Sequence, residues 1–227
     1  MEMPQASAST DTILDTYGEF HLAGMKAEPE AAEISTDFET SQTTLRTTCD
    51  ARKAADRVGV QVEALVYRAE IDLEKTLKQI EGRVLLFVDK NRKAEPYVTA
   101  FPNGLTGPLA PKGRAQSIEG RRIVGTLGPE TGVSADVTSL LPNVLTSATA
   151  LDDRCTALEA ADRAALAALA LERTEVRHWR DQYRKDHGLL TALWPNDKKR
   201  VESFFKHVRQ TKKKAPSGGG GGGEGGA

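Results

Sequence analysis

The pair Glu175 and His178 has the residue types and the spacing of a metal-binding motif. On a helix, a Glu-x-x-His presents a carboxylate and an imidazole on one face, which is how four-helix di-iron proteins hold their metals. Such a centre needs a second Glu-x-x-His and further glutamates, and none of the other three histidines follows a glutamate at this spacing. The sequence therefore predicts a surface histidine at position 178 and neither a metal centre nor a cofactor.

Other catalytic motifs are missing from the chain. It contains no GxxxxGK[ST], HExxH, CxxC or GxSxG sequence, which are the signatures of phosphate-binding loops, zinc hydrolases, redox dithiols and serine hydrolases. The glycine-rich segment 125–132 has no following lysine, so we interpret it as a turn. We expect a protein that is not an enzyme.

A basic cluster near the C-terminus is the strongest candidate for a binding site. Residues 198–214 carry eight bases against the single acid Glu202. Clustered positive charge binds phosphate groups of nucleic acids or anionic surfaces. The candidate contact residues are Lys198, Lys199, Arg200, Lys206, Arg209, Lys212, Lys213 and Lys214.

Two phenylalanines lie within this basic segment and allow two interpretations. Phe204 and Phe205 could stack on nucleic-acid bases. Their helical spacing from Val201 and Val208 instead favours an apolar helix face docked against the protein. We favour docking, so nucleic-acid binding is the alternative function.

The opposite end of the chain is acidic. Residues 1–40 contain nine acids and the single base Lys26. The two oppositely charged ends either fold back on each other or face separate partners. Because like-charge blocks are often disordered, we expect residues 1–40 to be weakly ordered and Phe38 to matter little for stability.

Two long stripes of apolar residues must position any site. Their members recur every three or four residues, which is the period of an α-helix. The first runs Ala51, Ala55, Val58, Val62, Val66, Ala69, Leu73, Leu77, Ile80, Val84, Phe87, and the second runs Val144, Ala148, Leu151, Cys155, Leu158, Ala161, Ala165, Leu169, Val176, Trp179, Tyr183. A single helix cannot bury such a stripe, so each predicts a partner helix.

Helix boundaries follow from prolines, glycines and capping residues. The predicted segments are a helix from about 40–44 to 91, a proline-rich corner at 91–113, a helix over 113–127, a helix from 134 with a kink or fresh start at Pro142 and a stop at Gly188, and a helix over 198–210 capped by Asp197. Tyr97 and Phe101 lie four residues apart in the corner, so we expect one helical turn to bury both.

The predicted fold is all-α: an elongated antiparallel helical bundle of about four helices, two of them long, with disordered termini. The chain divides into a weakly ordered segment 1–40, a bundle 41–210, and a basic, glycine-rich flexible tail 211–227.

Several short motifs resemble a family of uncharacterised helical proteins encoded in large bacterial genomes. The motifs are the stretch 83–88, Pro96-Tyr97 with Phe101-Pro102, the helix around Pro142, and Trp194-Pro195 followed by 201–205. The resemblance covers about residues 45–208 and implies a long helical hairpin capped by a tyrosine and a Phe-Pro pair. It implies no activity and no catalytic residues.

Composition agrees with a soluble, mostly helical protein. Only 5% of its residues are aromatic, which predicts a thin core. No secretory signal or membrane span is visible, and Cys49 and Cys155 fit neither a disulfide framework nor a metal site, so we expect a cytoplasmic location. The hypothesis is a non-catalytic interaction or scaffold protein that binds an unidentified protein or itself, with nucleic-acid or anionic-surface binding as the alternative.

Overall fold

The computed structural model describes residues 1–207. Nine α-helices are present in this range: α1 (Thr10–Thr12), α2 (Glu19–Ala27), α3 (Ala32–Phe87), α4 (Tyr97–Ala100), α5 (Thr106–Leu109), α6 (Arg114–Thr126), α7 (Ala135–Thr138), α8 (Leu141–Leu193) and α9 (Lys198–Ser203). A π-helical segment, Ile13–Gly18, joins α1 to α2, and short 3-10 turns cover Pro29–Ala31 and Pro129–Thr131. No β-strand occurs in residues 1–207, so the all-α prediction is confirmed there.

Two helices dominate the chain. Helix α3 has 56 residues and α8 has 53, as the two long stripes predicted. The chain forms two compact units, one made of Met1–Thr43 with the described residues from His178 onward, and the other of Thr44–Arg177. The elongated shape stays a prediction.

The larger unit, Thr44–Arg177, is built on the antiparallel pairing of α3 with α8. Its core combines apolar residues of α3, the corner, α6 and α8: Leu73, Leu77, Ile80, Val84, Val88, Tyr97, Ala100, Phe101, Ile123, Leu127, Val137, Leu141, Val144, Ala148, Leu151 and Cys155. Gly120 of α6 lies close to Leu73 and Ala148, 3.3 Å from each for an added Cβ atom. An alanine here would require its neighbours to move by a few tenths of an ångström, so glycine suits the close approach of α6 to both long helices.

The proline-rich corner folds as predicted around two buried aromatics. Tyr97 and Phe101 are each 1% exposed, with ring centroids 5.4 Å apart. The Tyr97 hydroxyl donates a hydrogen bond of 2.8 Å to Glu81. Burial raises the pKa of Tyr97, and the bond to Glu81 raises it further, so the hydroxyl stays protonated and keeps this bond at neutral pH.

Proline 142 produces the fresh start that the sequence predicted. Helix α7 ends at Thr138, and α8 begins at Leu141 with Pro142 in its first turn. An N-terminal turn needs no backbone N–H from this residue, so proline fits there without loss of a helical hydrogen bond.

Residues 1–40 differ from the prediction of weak order. They contain α1, the π-helical segment, α2 and the first turns of α3. Buried apolar side chains hold them: Ile13, Leu14, Tyr17, Met25, Ala31 and Phe38. The expectation was wrong because the acids lie on the solvent side while these apolar residues share the opposite faces.

Several predicted helix ends were also wrong, among them the end of α9, which is at Ser203 and not at 210. Helix α3 begins at Ala32, not near Thr40, and α8 passes through Gly188 to Leu193. A Cβ atom at Gly188 would meet nothing within 4 Å. Helical packing of Leu190, which is fully buried, outweighs the cost of about 1 kcal/mol for a mid-helix glycine.

The apolar stripes are buried only in part. Leu73, Leu77, Ile80 and Val84 are fully buried, whereas Val58 is 47% exposed and Phe87 is 40% exposed. In α6, Ile118 is 57% exposed. The stripe of α3 is therefore fully buried from Leu73 to Val84 and only partly covered on either side.

We predict that Phe38→Ala and Phe101→Ala each lower the free energy of unfolding by about 3–5 kcal/mol, since both rings are fully buried. Phe20→Ala, at a ring that is 40% exposed, is the control and should cost far less. Chemical unfolding followed by circular dichroism measures all three. A Phe38→Ala variant as stable as Phe20→Ala contradicts the observed order of the N-terminal segment.

We further predict opposite effects of two glycine substitutions. An added Cβ at Gly18 would lie 2.2 Å from the Gln42 side-chain oxygen, so Gly18→Ala should destabilise the protein. Gly188→Ala should stabilise it by about 0.5–1 kcal/mol, because alanine loses less backbone entropy in a helix. The melting temperatures of both variants test this prediction. A shift of the same sign in both variants contradicts it.

Candidate functional site

The basic cluster is partly used inside the protein. Arg200 forms ion pairs with Glu28 at 2.7 Å and Glu30 at 3.4 Å, and its guanidinium lies 4.0 Å from the ring centroid of Trp194. These contacts join the acidic and basic ends, so for Arg200 the fold-back alternative is confirmed. A guanidinium held by two carboxylates and an aromatic face has little capacity left for a phosphate.

The other predicted contact residues divide into two groups. Lys198 and Lys199 are exposed, and Lys206 places its amine 5.0 Å from the ring centroid of Phe20. Arg209, Lys212, Lys213, Lys214 and the predicted flexible tail 211–227 lie outside the described residues. Nucleic-acid binding through this cluster stays a prediction.

Phe204 and Phe205 dock against the protein, as their spacing predicted. They are 3% and 1% exposed, and Phe204 stacks on Trp194 with centroids 5.4 Å apart. Asp197 caps α9 by accepting a 2.9 Å hydrogen bond from the Arg200 backbone N–H. Rings buried in this way cannot stack on bases unless α9 detaches.

The Glu-x-x-His pair lies outside any ligand cluster. His178 is exposed, as predicted, and Glu175 is half-buried. Within residues 1–207, no three histidine, cysteine, aspartate or glutamate side chains come close enough together to hold a metal ion.

A buried polar cluster that the sequence did not predict lies in the unit formed by the two ends of the chain. His21 and Asp186 are both fully buried. His21 Nδ1 lies 3.0 Å from the Phe204 carbonyl oxygen, and Nε2 lies 3.2 Å from Asp186 Oδ2. Because a carbonyl only accepts, Nδ1 carries a hydrogen, and in the imidazolium form both nitrogens donate. Gln182 completes the cluster by donating to Asp186 Oδ1 at 2.7 Å.

Aromatic rings surround His21 on several sides. Phe38, Tyr183 and Phe205 have centroids 4.6, 4.8 and 4.6 Å from the imidazole centroid. Trp179 stacks on Tyr183 at 4.9 Å and donates a 2.7 Å hydrogen bond to Gln42. With 0% of the His21 and Asp186 surfaces exposed, no substrate can reach the pair, so its geometry is that of a structural anchor.

The cysteine beside the corner is also unsuited to nucleophilic chemistry. Cys155 is 9% exposed, and burial raises the pKa of its thiol, although Arg114 opposes this effect. A protonated thiol is a poor nucleophile. Cys155 therefore acts as a small apolar core residue, as the sequence predicted.

Charged side chains on the surface of the larger unit tie its segments together. Glu70 accepts a 2.6 Å hydrogen bond from the Gly113 backbone N–H at the start of α6. Lys112 pairs with Glu74 at 2.8 Å, and Arg114 bridges from α6 to Glu159 at 3.0 Å. This pairing lowers the pKa of Glu74, with the hydrogen bond from Lys112 as its largest cause.

The most unusual surface of the larger unit is apolar. Large apolar side chains on the middle of both long helices are strongly exposed: Val58 47%, Val60 67%, Leu65 44%, Tyr67 66%, Ile71 42%, Leu166 66% and Leu171 52%. Single exposed apolar residues are common in proteins, whereas several that share one helix face mark an interaction surface.

Four residues form the most regular part of this surface, which we call the outer seam: Val60, Ala64, Tyr67 and Ile71. They are spaced by four, three and four residues, so at 3.6 residues per turn they lie within about 60° of one another. The seam faces away from the buried residues Leu73 and Leu77. Sequence reasoning missed it because the longer stripe, on the opposite face of the same part of α3, was taken as the apolar face of the helix, yet the heptad spacing of the seam was visible.

An open groove of about 360 Å³ borders the seam at Val60. Gly59, Leu158 and Ala165 line it, with three acids among the remaining lining residues, Asp56, Glu63 and Asp162. The groove lies between α3 and α8, where Gly59 and Ala165 are too small to fill the space between the helix axes. The groove has no buried polar group that could orient a small molecule.

Comparison of the chain with protein-family models, with curated proteins and with solved structures finds no match. The resemblance to uncharacterised helical proteins therefore stays an interpretation of short motifs. Among the described residues, no helix combines the length and the apolar character that crossing a bilayer requires.

We predict that Asp186→Ala destabilises the protein by about 3–5 kcal/mol, because it breaks a buried pair and removes the carboxylate that both His21 and Gln182 contact. Asp181→Ala is the matched control on the same helix, where the exposed carboxylate pairs with Arg184 at 2.6 Å. An exposed pair contributes about 0–1 kcal/mol. Urea unfolding compares the two variants, and equal losses contradict an anchoring role for Asp186.

Proposed function

We propose that this protein is a non-catalytic interaction or scaffold protein that binds a protein partner through the exposed apolar side chains of α3 and α8. The row of exposed apolar residues in the larger unit is the observation that carries the proposal. Val60 and Tyr67 leave about two-thirds of their surface in contact with solvent, at 67% and 66%.

The energetics of apolar surface support this proposal. Removal of apolar surface from water contributes about 25 cal/mol per Å², and a tyrosine ring buries about 150–250 Å² when it is covered. A partner helix laid along the outer seam recovers this energy. Covering the same residues within the chain would need another helix over the middle of α3, and none of the described elements lies there, since the seam is exposed.

The polar groups of the described chain support an interaction role over catalysis. The His21–Asp186 pair is enclosed by aromatic rings, Cys155 has a raised pKa, and Arg200 is held by carboxylates. Each of these groups stabilises the fold. In an enzyme, such groups would instead be accessible to a substrate. We place the protein in the reducing cytoplasm, where its free thiols Cys49 and Cys155 stay reduced.

A photo-crosslinking experiment in the cells that make the protein tests this proposal. Tyr67 is replaced by benzoylphenylalanine in the full chain, and Arg163, an exposed residue of α8, carries the same group as a control. We expect one discrete covalent protein adduct from position 67 and none from position 163, because the apolar seam is the contact surface. No adduct from position 67, or the same adducts from both positions, contradicts the proposal.

A stability measurement accompanies the experiment. Val60→Ser with Tyr67→Ser should remove the contact surface and change the free energy of unfolding by only about 0.5 kcal/mol per site, because neither side chain is packed in the isolated chain. A large loss of stability would show that these residues serve the fold instead of a partner.

A further inference from the structure

We infer that the partner of the outer seam is a second copy of this chain, bound through the same seam in antiparallel orientation. This inference rests on the proposed function and names the occupant of the same surface. The sizes and charges of the residues that a twofold axis brings together favour this orientation.

Side-chain sizes in the seam are self-complementary only when the two helices run antiparallel. A twofold axis midway between Ala64 and Tyr67 places Tyr67 opposite Ala64 of the second copy and Val60 opposite Ile71. Each pair of facing residues forms one layer of the interface. A layer then contains either a large and a small residue or two residues of middle size, so the interface is filled evenly. A parallel pair would place two tyrosines in one layer and two alanines in another, leaving one layer crowded and the next empty.

The charges at the ends of the seam favour the same orientation. Arg57 and Glu74 continue the heptad positions on either side, and the antiparallel register places Arg57 opposite Glu74 of the second copy. One oxygen of Glu74 is bound by Lys112 at 2.8 Å, and the other lies 3.6 Å from Lys78. The contact with Lys78 is long for a hydrogen bond, so this oxygen can still accept one from the guanidinium of the second copy. A parallel pair would instead bring two Arg57 side chains together.

The length of the seam sets the strength of the dimer. From Arg57 to Glu74 the contact spans 17 residues, or about 26 Å at 1.5 Å per residue. We expect so short a contact to bury less than the roughly 1,200–2,000 Å² of a standard specific interface. We therefore expect a weak, concentration-dependent dimer with a dissociation constant on the order of micromolar.

Analytical ultracentrifugation of the full chain, from about 1 μM to about 1 mM, tests the inference. The wild-type protein should shift from monomer to dimer across this range. Tyr67→Glu should weaken the dimer by at least about tenfold because it buries a charge in the central layers. Leu166→Glu is the matched control, because Leu166 has the same 66% exposure on α8 and lies outside the seam; it should leave the dissociation constant unchanged.

Spin labels test the orientation. In a variant with Arg57→Cys and with serine at Cys49 and Cys155, the two labels of an antiparallel dimer should lie about 26 Å apart. Parallel helices would bring them within about 10 Å, the distance between packed helix axes, and this result would overturn the inferred register.

The outcomes separate the inference from the proposed function. A protein that stays monomeric, or a dimer weakened equally by Tyr67→Glu and Leu166→Glu, overturns the inference. If a different protein is crosslinked at position 67 while the chain stays monomeric, the second copy is excluded and the interaction function survives. A monomer that also forms no adduct at position 67 overturns both.

Discussion

The burial of apolar side chains between α3 and α8 is the interaction on which both compact units depend. Within Thr44–Arg177, Leu73 and Leu77 pack in one core with Val144, Ala148 and Leu151. In the unit formed by the chain ends, Phe38 meets Trp179, with ring centroids 5.4 Å apart. The remaining elements are added to this pairing, because neither long helix can bury its stripe alone.

The elements added at the chain ends need polar anchors. Gln42 donates a 2.9 Å hydrogen bond to the Leu14 carbonyl and accepts one from Trp179, while His21 connects α2 to Phe204 and Asp186. Buried polar groups are costly unless they are paired. The hydrogen bonds of Gln42 and His21 therefore favour a single arrangement of these segments. A shift of any one segment would leave a buried donor or acceptor without its partner.

Stability and interaction make different demands on the long helices. Large side chains fill the core where the corner and α6 cover α3, and small ones predominate in the middle of α8, where many alanines are exposed. The exposed Val60, Tyr67 and Ile71 of the outer seam contribute little to the isolated chain and provide the apolar area that an interface needs. A surface of this kind is consistent with weak, reversible association, because the helix pair is already folded without it.

The sequence by itself determined the local features of this protein. The helical period of the stripes, the four prolines of the corner and the position of Pro142 each act on neighbouring residues, so the long helices, the burial of Tyr97 and Phe101 and the start of α8 were predictable. Phe204 and Phe205 were correctly expected to dock, because their helical spacing with Val201 is local too. The heptad spacing of the outer seam was equally readable, although its exposure was not.

Tertiary structure alone decided the features that join distant residues. His21 and Asp186 are separated by 165 positions, and no local pattern shows that a histidine in an acidic segment will be enclosed by Phe38 and Phe205. The N-terminal segment is ordered for the same reason: its apolar residues are too few to predict order alone and become sufficient when α8 and α9 cover them. Burial and charge pairing depend on what lies across the fold, whereas helix formation depends on what lies along the chain.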